Sequence, residues 1–159
     1  MRNAMLATTL IGAFATSAFY GAAQAGEANI TGFFPAVPNN ATVVEKADGS
    51  SVVMFDVKGF LIVDDQSNPW HGALMDCNGI GAYGADGSIQ TEVGTCMIID
   101  RDGDVQSLPW VKTTATGGTW KIAGGSGKLA GMTGSGTYTD VPVADGRLFN
   151  TWTFTQITP

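Results

Sequence analysis

Several carboxylates of this sequence could do acid or base chemistry, depending on which way the surrounding chain turns them. Glu45, Asp56, Asp76 and Glu92 lie in or beside segments that read as β-strands. A carboxylate that faces an apolar interior resists ionisation because burial disfavours its charged form, so its pKa rises into a useful range. Asp56 alternates with a row of apolar residues, and we expect it to face solvent.

Aromatic rings are the second set of residues that could make a site. Trp and Tyr side chains could line an apolar ligand cavity, or they could fill a core, since each buries a large area. The predicted ligand-binding residues are Trp70, Trp110, Trp120, Tyr138, Trp152 and Asn150, with Tyr83 as a further candidate. Asn150 is included because it shares one face of a strand with Trp152.

Three aspartates, Asp100, Asp102 and Asp104, stand at positions 1, 3 and 5 of a calcium-loop pattern. An EF-hand loop also needs Gly at position 6 and Glu at position 12, where this chain has Val105 and Val111. We interpret the segment as a polar hairpin turn and keep weak calcium binding as the alternative. One His and two Cys cannot build most zinc sites, and no cofactor is predicted.

Two other features resemble functional motifs without meeting their requirements. The run 124–128, GGSGK, lacks the leading Gly of a phosphate loop, because Ile122 holds that place and Leu129 follows the Lys. Nucleotide binding is therefore excluded. His71 is the lone histidine, and we expect it to have a structural or surface role.

Cys77 and Cys96 are the only cysteines. In an exported chain they are expected to form a disulfide. A reactive or metal-bound thiol pair is the alternative, but the C-x-x-C spacing is absent.

Residues 1–25 have the composition of a secretory signal peptide. Arg2 gives a short positive region, an apolar stretch follows, and Ala23-Gln24-Ala25 is a small-x-small cleavage site. We predict cleavage after Ala25, a periplasmic or secreted location, and a single domain over 26–159; an uncleaved membrane anchor is the alternative. No second apolar stretch reaches spanning length, so no membrane partner is expected after cleavage. The formal charge of −6 disfavours nucleic acid as a partner.

The chain after residue 25 reads as strands joined by turns. Prolines in 26–40 predict a loosely ordered segment, and Asp48-Gly49 predicts a hairpin turn. Period-two alternation over 51–65 predicts one long strand with a buried face and a bend at Gly59. Further strands are expected at 42–47, 70–80, 92–99, 105–112, 119–123, 136–139 and 148–157. About eight strands and no amphipathic helix predict an all-β barrel or sandwich.

A family resemblance narrows this choice. The segment 118–136, GTWKIAGGSGKLAGMTGSG, resembles the G-G-T-G-K/R-φ-x-G-φ-x-G segment of the allene oxide cyclase and dirigent barrel superfamily, with Ser126 in place of the usual Thr. The stretch from Gly94 to Asp104 is similar to a Cys-strand-D-x-D-G-D hairpin of uncharacterised exported bacterial members. Together they cover about a third of the chain. The resemblance implies a single antiparallel eight-stranded β-barrel with a central cavity.

The resemblance indicates a class of function and no particular activity. Plant relatives in that superfamily cyclise an unsaturated epoxide or steer phenoxy-radical coupling, and bacterial relatives include polyketide cyclases. Their catalytic residues cannot be matched here one by one, so no activity carries over. We predict a barrel that binds a small apolar ligand without demonstrated catalysis. The alternatives are a cofactor-free cyclase or isomerase, an avidin- or lipocalin-like binder, and a structural or interaction protein with a solid core; oligomerisation is left open.

Overall fold

The computed structural model describes residues 26–143 and 148–158, so the predicted signal peptide lies outside the described residues. The described chain forms ten β-strands and one 3-10 turn at Gly127–Leu129. The strands are β1 Gly26–Glu45, β2 Ser51–Phe60, β3 Ile62–Val63, β4 Leu74–Tyr83, β5 Ile89–Ile99, β6 Val105–Thr114, β7 Gly117–Lys121, β8 Gly124–Gly125, β9 Thr133–Pro142 and β10 Leu148–Thr158. Over these residues, no helix has the length and apolar character that a membrane crossing requires.

The strands form one antiparallel sheet whose two ends meet. Its order is β10-β9-β7-β6-β5-β4-β2-β1, and β1 pairs with β10 as well as with β2. Residues 26–36 of β1 pair with 148–158 of β10, and residues 37–45 pair with 51–58 of β2. Eight strands therefore close into a ring, with β3 and β8 as short additions on β1 and β6. The predicted antiparallel eight-stranded barrel is confirmed.

The prediction of a loosely ordered segment over 26–40 is wrong, because β1 runs unbroken through it. Pro35 lies where β1 pairs with β10, and Pro38 lies where it pairs with β2, next to a register shift before Asn40. Each proline thus pairs with one neighbouring strand. A missing backbone N–H is tolerated at such edge-like positions and at bulges.

The long strand predicted over 51–65 is interrupted by one residue. β2 ends at Phe60 and β3 resumes at Ile62. Leu61 lies between them and bonds to the following loop: its N–H donates to Ala73 O (2.9 Å), and its carbonyl accepts from Gly72 N (2.7 Å). The predicted buried face is confirmed, since Val57, Leu61 and Val63 are buried while Met54, Lys58 and Phe60 are exposed. The interruption falls two residues after Gly59, where the sequence predicts a bend.

One end of the barrel, the packed end, is filled by side chains from its connections. Residues 61–73 and 122–132 fold across this end and contribute Leu61, Trp70, Leu129 and Met132, none more than 4% exposed. Trp70 belongs to this loop and not to a strand, which corrects the strand predicted from residue 70. Its indole N–H donates to Gln106 Oε1 (2.8 Å), and its ring stacks on Phe154 at 4.7 Å between centroids. His71, as expected, has a structural contact, with Nδ1 2.8 Å from Val63 O.

The opposite end, the polar end, carries the β1–β2, β4–β5 and β6–β7 hairpin turns. The first is the predicted Asp48-Gly49 turn, in which Gly49 has φ +82° and Asp48 accepts hydrogen bonds from the Ser50 N–H and hydroxyl. Among the described residues, the side chains fill the packed end and leave room for a guest nearer the polar end.

Candidate functional site

The interior contains a cavity of about 80 Å³ between the apolar core and the polar end. Its wall is mostly apolar and aromatic, with a few polar side chains. The lining residues are Phe55, Val57, Met75, Cys77, Glu92, Cys96, Leu108, Trp110, Trp120, Tyr138, Asp140, Asn150 and Trp152. They come from seven strands, so the site depends on closure of the whole ring.

Glycines on the inner face make room for two of the rings. Gly79 lies opposite Phe55 on β2 and opposite Gly94 on β5, and Gly94 lies opposite Trp110 on β6. A Cβ atom at Gly79 would lie 2.6 Å from the Phe55 ring, and one at Gly94 would lie 2.5 Å from the Trp110 ring. The absence of side chains at these positions lets the two rings lie across the sheet, with centroids 6.2 Å apart.

The remaining rings surround the cavity at varied angles. Tyr138 meets Trp110 edge to face at 85°, with centroids 6.2 Å apart, and Trp120 lies 5.5 Å from Trp152. The indole Nε1 of Trp120 is buried and has no hydrogen-bond partner in the described part of the protein. Rings at such mutual angles present both faces and edges to the enclosed space.

Two carboxylates and an ammonium group form a cluster beside the rings. The Lys112 Nζ lies 2.6 Å from Asp140 Oδ2 and 3.8 Å from Glu92 Oε1, and all three side chains are 11% exposed. Lys112 on β6 reaches Asp140 on β9 across β7, because Lys112 pairs with Gly118, which pairs with Tyr138, two residues before Asp140. Glu92 lies on β5, the other neighbour of β6. Glu92 and Asp140 line the cavity and Lys112 does not.

Hydrogen bonds hold the carboxylates in place. The Tyr83 hydroxyl donates to Glu92 Oε2 (2.8 Å), and the Asn150 amide donates to Asp140 Oδ1. Burial, together with this bond to Glu92, raises the pKa of Tyr83. Burial and the nearby charges of Asp140 and Glu92 likewise raise the pKa of Tyr138. Both phenols are therefore neutral hydrogen-bond donors at neutral pH.

Five of the predicted ligand-binding residues lie around this one cavity: Trp110, Trp120, Tyr138, Asn150 and Trp152. Trp70 does not line it, because its loop places the ring in the packed end. The structure thus brings five of the six together, although contact with a ligand stays a prediction.

Of the four carboxylates singled out from the sequence, only Glu92 reaches the interior. Glu45 is exposed, Asp56 accepts a hydrogen bond from Asn39 (2.7 Å), and Asp76 pairs with Lys58 (2.8 Å). Sequence reasoning missed Lys112 and Asp140. The signal that could have found them is the period of two, since Lys112 is two residues from Trp110 and Asp140 two residues from Tyr138, and each pair therefore shares one face of its strand.

Cys77 and Cys96 form a disulfide, as the sequence predicts. They are directly opposite on β4 and β5, and both line the cavity. The bridge fixes the register of the two strands that also carry Gly79 and Gly94.

The turn at 100–104 is held by a lysine from another segment. Asp100 Oδ1 accepts from the N–H groups of Asp102 and Asp104, and Lys128 Nζ pairs with Asp100 (2.9 Å) and Asp102. Burial favours the neutral acid at Asp100, but the bonds from Lys128 and the two N–H groups together lower its pKa. No cluster of potential metal ligands occurs in 26–143 and 148–158, and the calcium alternative receives no support from this arrangement.

Comparison with known proteins shows a similarity in fold. No family model and no curated protein sequence matches this chain. Among solved structures, the chain is similar to a pterocarpan synthase dirigent protein (14% identity, TM-score 0.52, 95% of this chain and 99% of the other covered) and to a second one (12%, 0.53, 84% and 96%). It is also similar to a DUF3224 family protein of unknown function from Shewanella oneidensis MR-1 (16%, 0.53, 81% and 96%). The protein therefore has the dirigent-like barrel fold, as the glycine-rich segment predicts.

Proposed function

We propose that this protein binds a small molecule with a mainly apolar body in the interior of its barrel. The observation that carries the proposal is one cavity whose wall combines five aromatic rings with Glu92, Asp140 and Asn150. Sites for small molecules combine an apolar wall with a few placed polar groups that orient the guest. The predicted export and the disulfide fit this role, because a disulfide persists in the oxidising environment outside the cell and stabilises the domain there.

The volume limits the guest. A closed cavity of about 150 Å³ accommodates benzene, so this cavity of about 80 Å³, which is partly open to solvent, suits a compact molecule no larger than about the size of benzene. This restriction favours binding over the alternative of a cofactor-free isomerase or cyclase. A carboxylate and a phenol in one cavity favour that alternative, but its substrates would need a cavity of several hundred Å³.

Ligand-observed NMR and quenching of tryptophan fluorescence with a panel of compact molecules test the proposal. We expect saturable binding of at least one member, and loss of that binding in Val57→Phe, which fills the cavity. Met54→Phe is the matched control, because Met54 is 49% exposed on the outer face of the same strand. Equal binding by both variants, or no binding by a parent protein with an intact melting transition, would overturn the proposal. Turnover of a bound compound would favour the isomerase.

A further inference from the structure

The charges around the cavity are unbalanced. Among its described lining residues there are two carboxylates, Glu92 and Asp140, and no basic side chain. Lys112 lies behind them and neutralises one, so two carboxylates and one ammonium leave a formal charge of −1. A buried excess charge of this kind is costly unless a counter-charge occupies the space beside it.

The aromatic wall specifies what form that counter-charge can take. Phe55, Trp110, Trp120, Tyr138 and Trp152 supply the ring surface of the cavity. The faces of aromatic rings attract cations, most strongly where water is excluded, and aromatic cages bind alkylated ammonium ions in this way. The carboxylates already accept hydrogen bonds from Tyr83 and Asn150. The ring faces offer no hydrogen-bond acceptor or oxygen ligand, whereas a metal ion needs oxygen ligands and a primary amine has three N–H donors to satisfy. A cation that carries methyl groups and no N–H therefore fits this wall better than either.

From these two observations we infer that the ligand is a small, fully alkylated ammonium ion held in an aromatic cage below the Glu92–Lys112–Asp140 cluster. This inference rests on the proposed function and adds the charge of the guest. The acidic composition of the chain, with a formal charge of −6, favours approach of such a cation. Its compact, nearly spherical shape suits a small cavity that is partly open to solvent.

Tetramethylammonium and tert-butanol test the charge directly, because they have nearly the same size and shape and differ in charge. We expect the parent protein to bind tetramethylammonium at least about tenfold more tightly, measured by tryptophan fluorescence or NMR titration. Glu92→Gln and Asp140→Asn should each reduce that preference, the ratio of the two affinities, at least about threefold. Asp56→Asn, a carboxylate outside the cavity, is the matched control and should change neither affinity.

The outcomes separate the two proposals. Equal affinity for both compounds, or tighter binding of tert-butanol, overturns the ammonium inference and leaves the proposed function standing. Failure of both compounds to bind overturns the inference and counts against the proposed function for guests of this size. A preference for tetramethylammonium that both charge variants retain would overturn the role of the carboxylates. Trp110→Leu then tests the ring contribution, and we expect it to weaken tetramethylammonium more than tert-butanol.

Discussion

Lys112 supplies the ammonium group that compensates the two interior carboxylates near the polar end. Its ammonium lies between two carboxylates that are, like itself, only 11% exposed. Removing one partner of a buried ionic group leaves the others uncompensated, which costs about 3 kcal/mol or more. Replacing the whole group with neutral side chains costs much less.

We therefore expect Lys112→Met to lower the free energy of unfolding by about 3 kcal/mol, measured by urea denaturation. The triple variant with Glu92→Gln and Asp140→Asn should recover part of that loss. Lys58→Met removes an ammonium from the exposed Lys58–Asp76 pair and should have little effect, since solvent screens such pairs. Similar losses in both lysine variants would contradict the buried-cluster interpretation.

The two interior phenols predict a dependence of stability on alkaline pH. Tyr83 and Tyr138 have pKa values raised above the ordinary value of 10.0. The native protein thus keeps both protons where the unfolded chain releases them, so the contribution is present below about pH 10 and is lost as the pH rises above it.

Denaturation midpoints should accordingly fall more steeply above that pH for the parent protein than for Tyr83→Phe/Tyr138→Phe. Phenolate absorbance should show the two residues ionising late in the folded protein and at the ordinary pH in denaturant. An alkaline slope that persists unchanged in the double variant would assign the effect to other groups.

At the scale of strands, the glycines on the inner face, Gly79 and Gly94, leave the space that the Phe55 and Trp110 rings occupy. An added Cβ at Gly94 would overlap the backbone carbonyl of Asn78 and the Trp110 ring. The carbonyl cannot move without disturbing the β4–β5 pairing, and the ring cannot move without losing its place against Phe55 and Tyr138, so Gly94→Ala should cost about 2 kcal/mol or more. Gly124 on β8 has no atom within 4 Å of the same position, and Gly124→Ala should change stability by less than about 0.5 kcal/mol. Thermal and urea denaturation of the two variants compare them, and equal costs would rule out close packing as the role of Gly94.

Strand alternation predicts much of this arrangement from the sequence. The inward row of β2 and the Asn150–Trp152 face of β10 follow from a period of two, and one disulfide follows from two cysteines in a chain that the sequence predicts to be exported. Lys112 and Asp140 could not be placed together in this way. They are 28 residues apart and meet through the register of β6, β7 and β9, which no local pattern encodes. Trp70 was misplaced for a similar reason, because its position depends on how residues 61–73 fold across the packed end.

At the scale of the molecule, the cavity exists only because the sheet closes on itself. Closure depends on the seam between residues 26–36 of β1 and 148–158 of β10. Without the seam, β10 and β1 would keep unpaired edges, and exposed edges pair with other chains. The lining residues Asn150 and Trp152 lie on the strand that would lose its neighbour.

Two shortened chains test this dependence. A chain that begins at Gly26 keeps the entire seam, and we expect it to show a cooperative thermal transition. A chain that begins at Val37 lacks the β1 half of the seam and should lose cooperative unfolding or associate through the freed edges, as size-exclusion chromatography and calorimetry would show. If the shorter chain stayed monomeric and melted at the same temperature, closure through β1 and β10 would not stabilise the fold. The cavity would then have to be held by the other strands alone, because ring closure would contribute nothing to its walls.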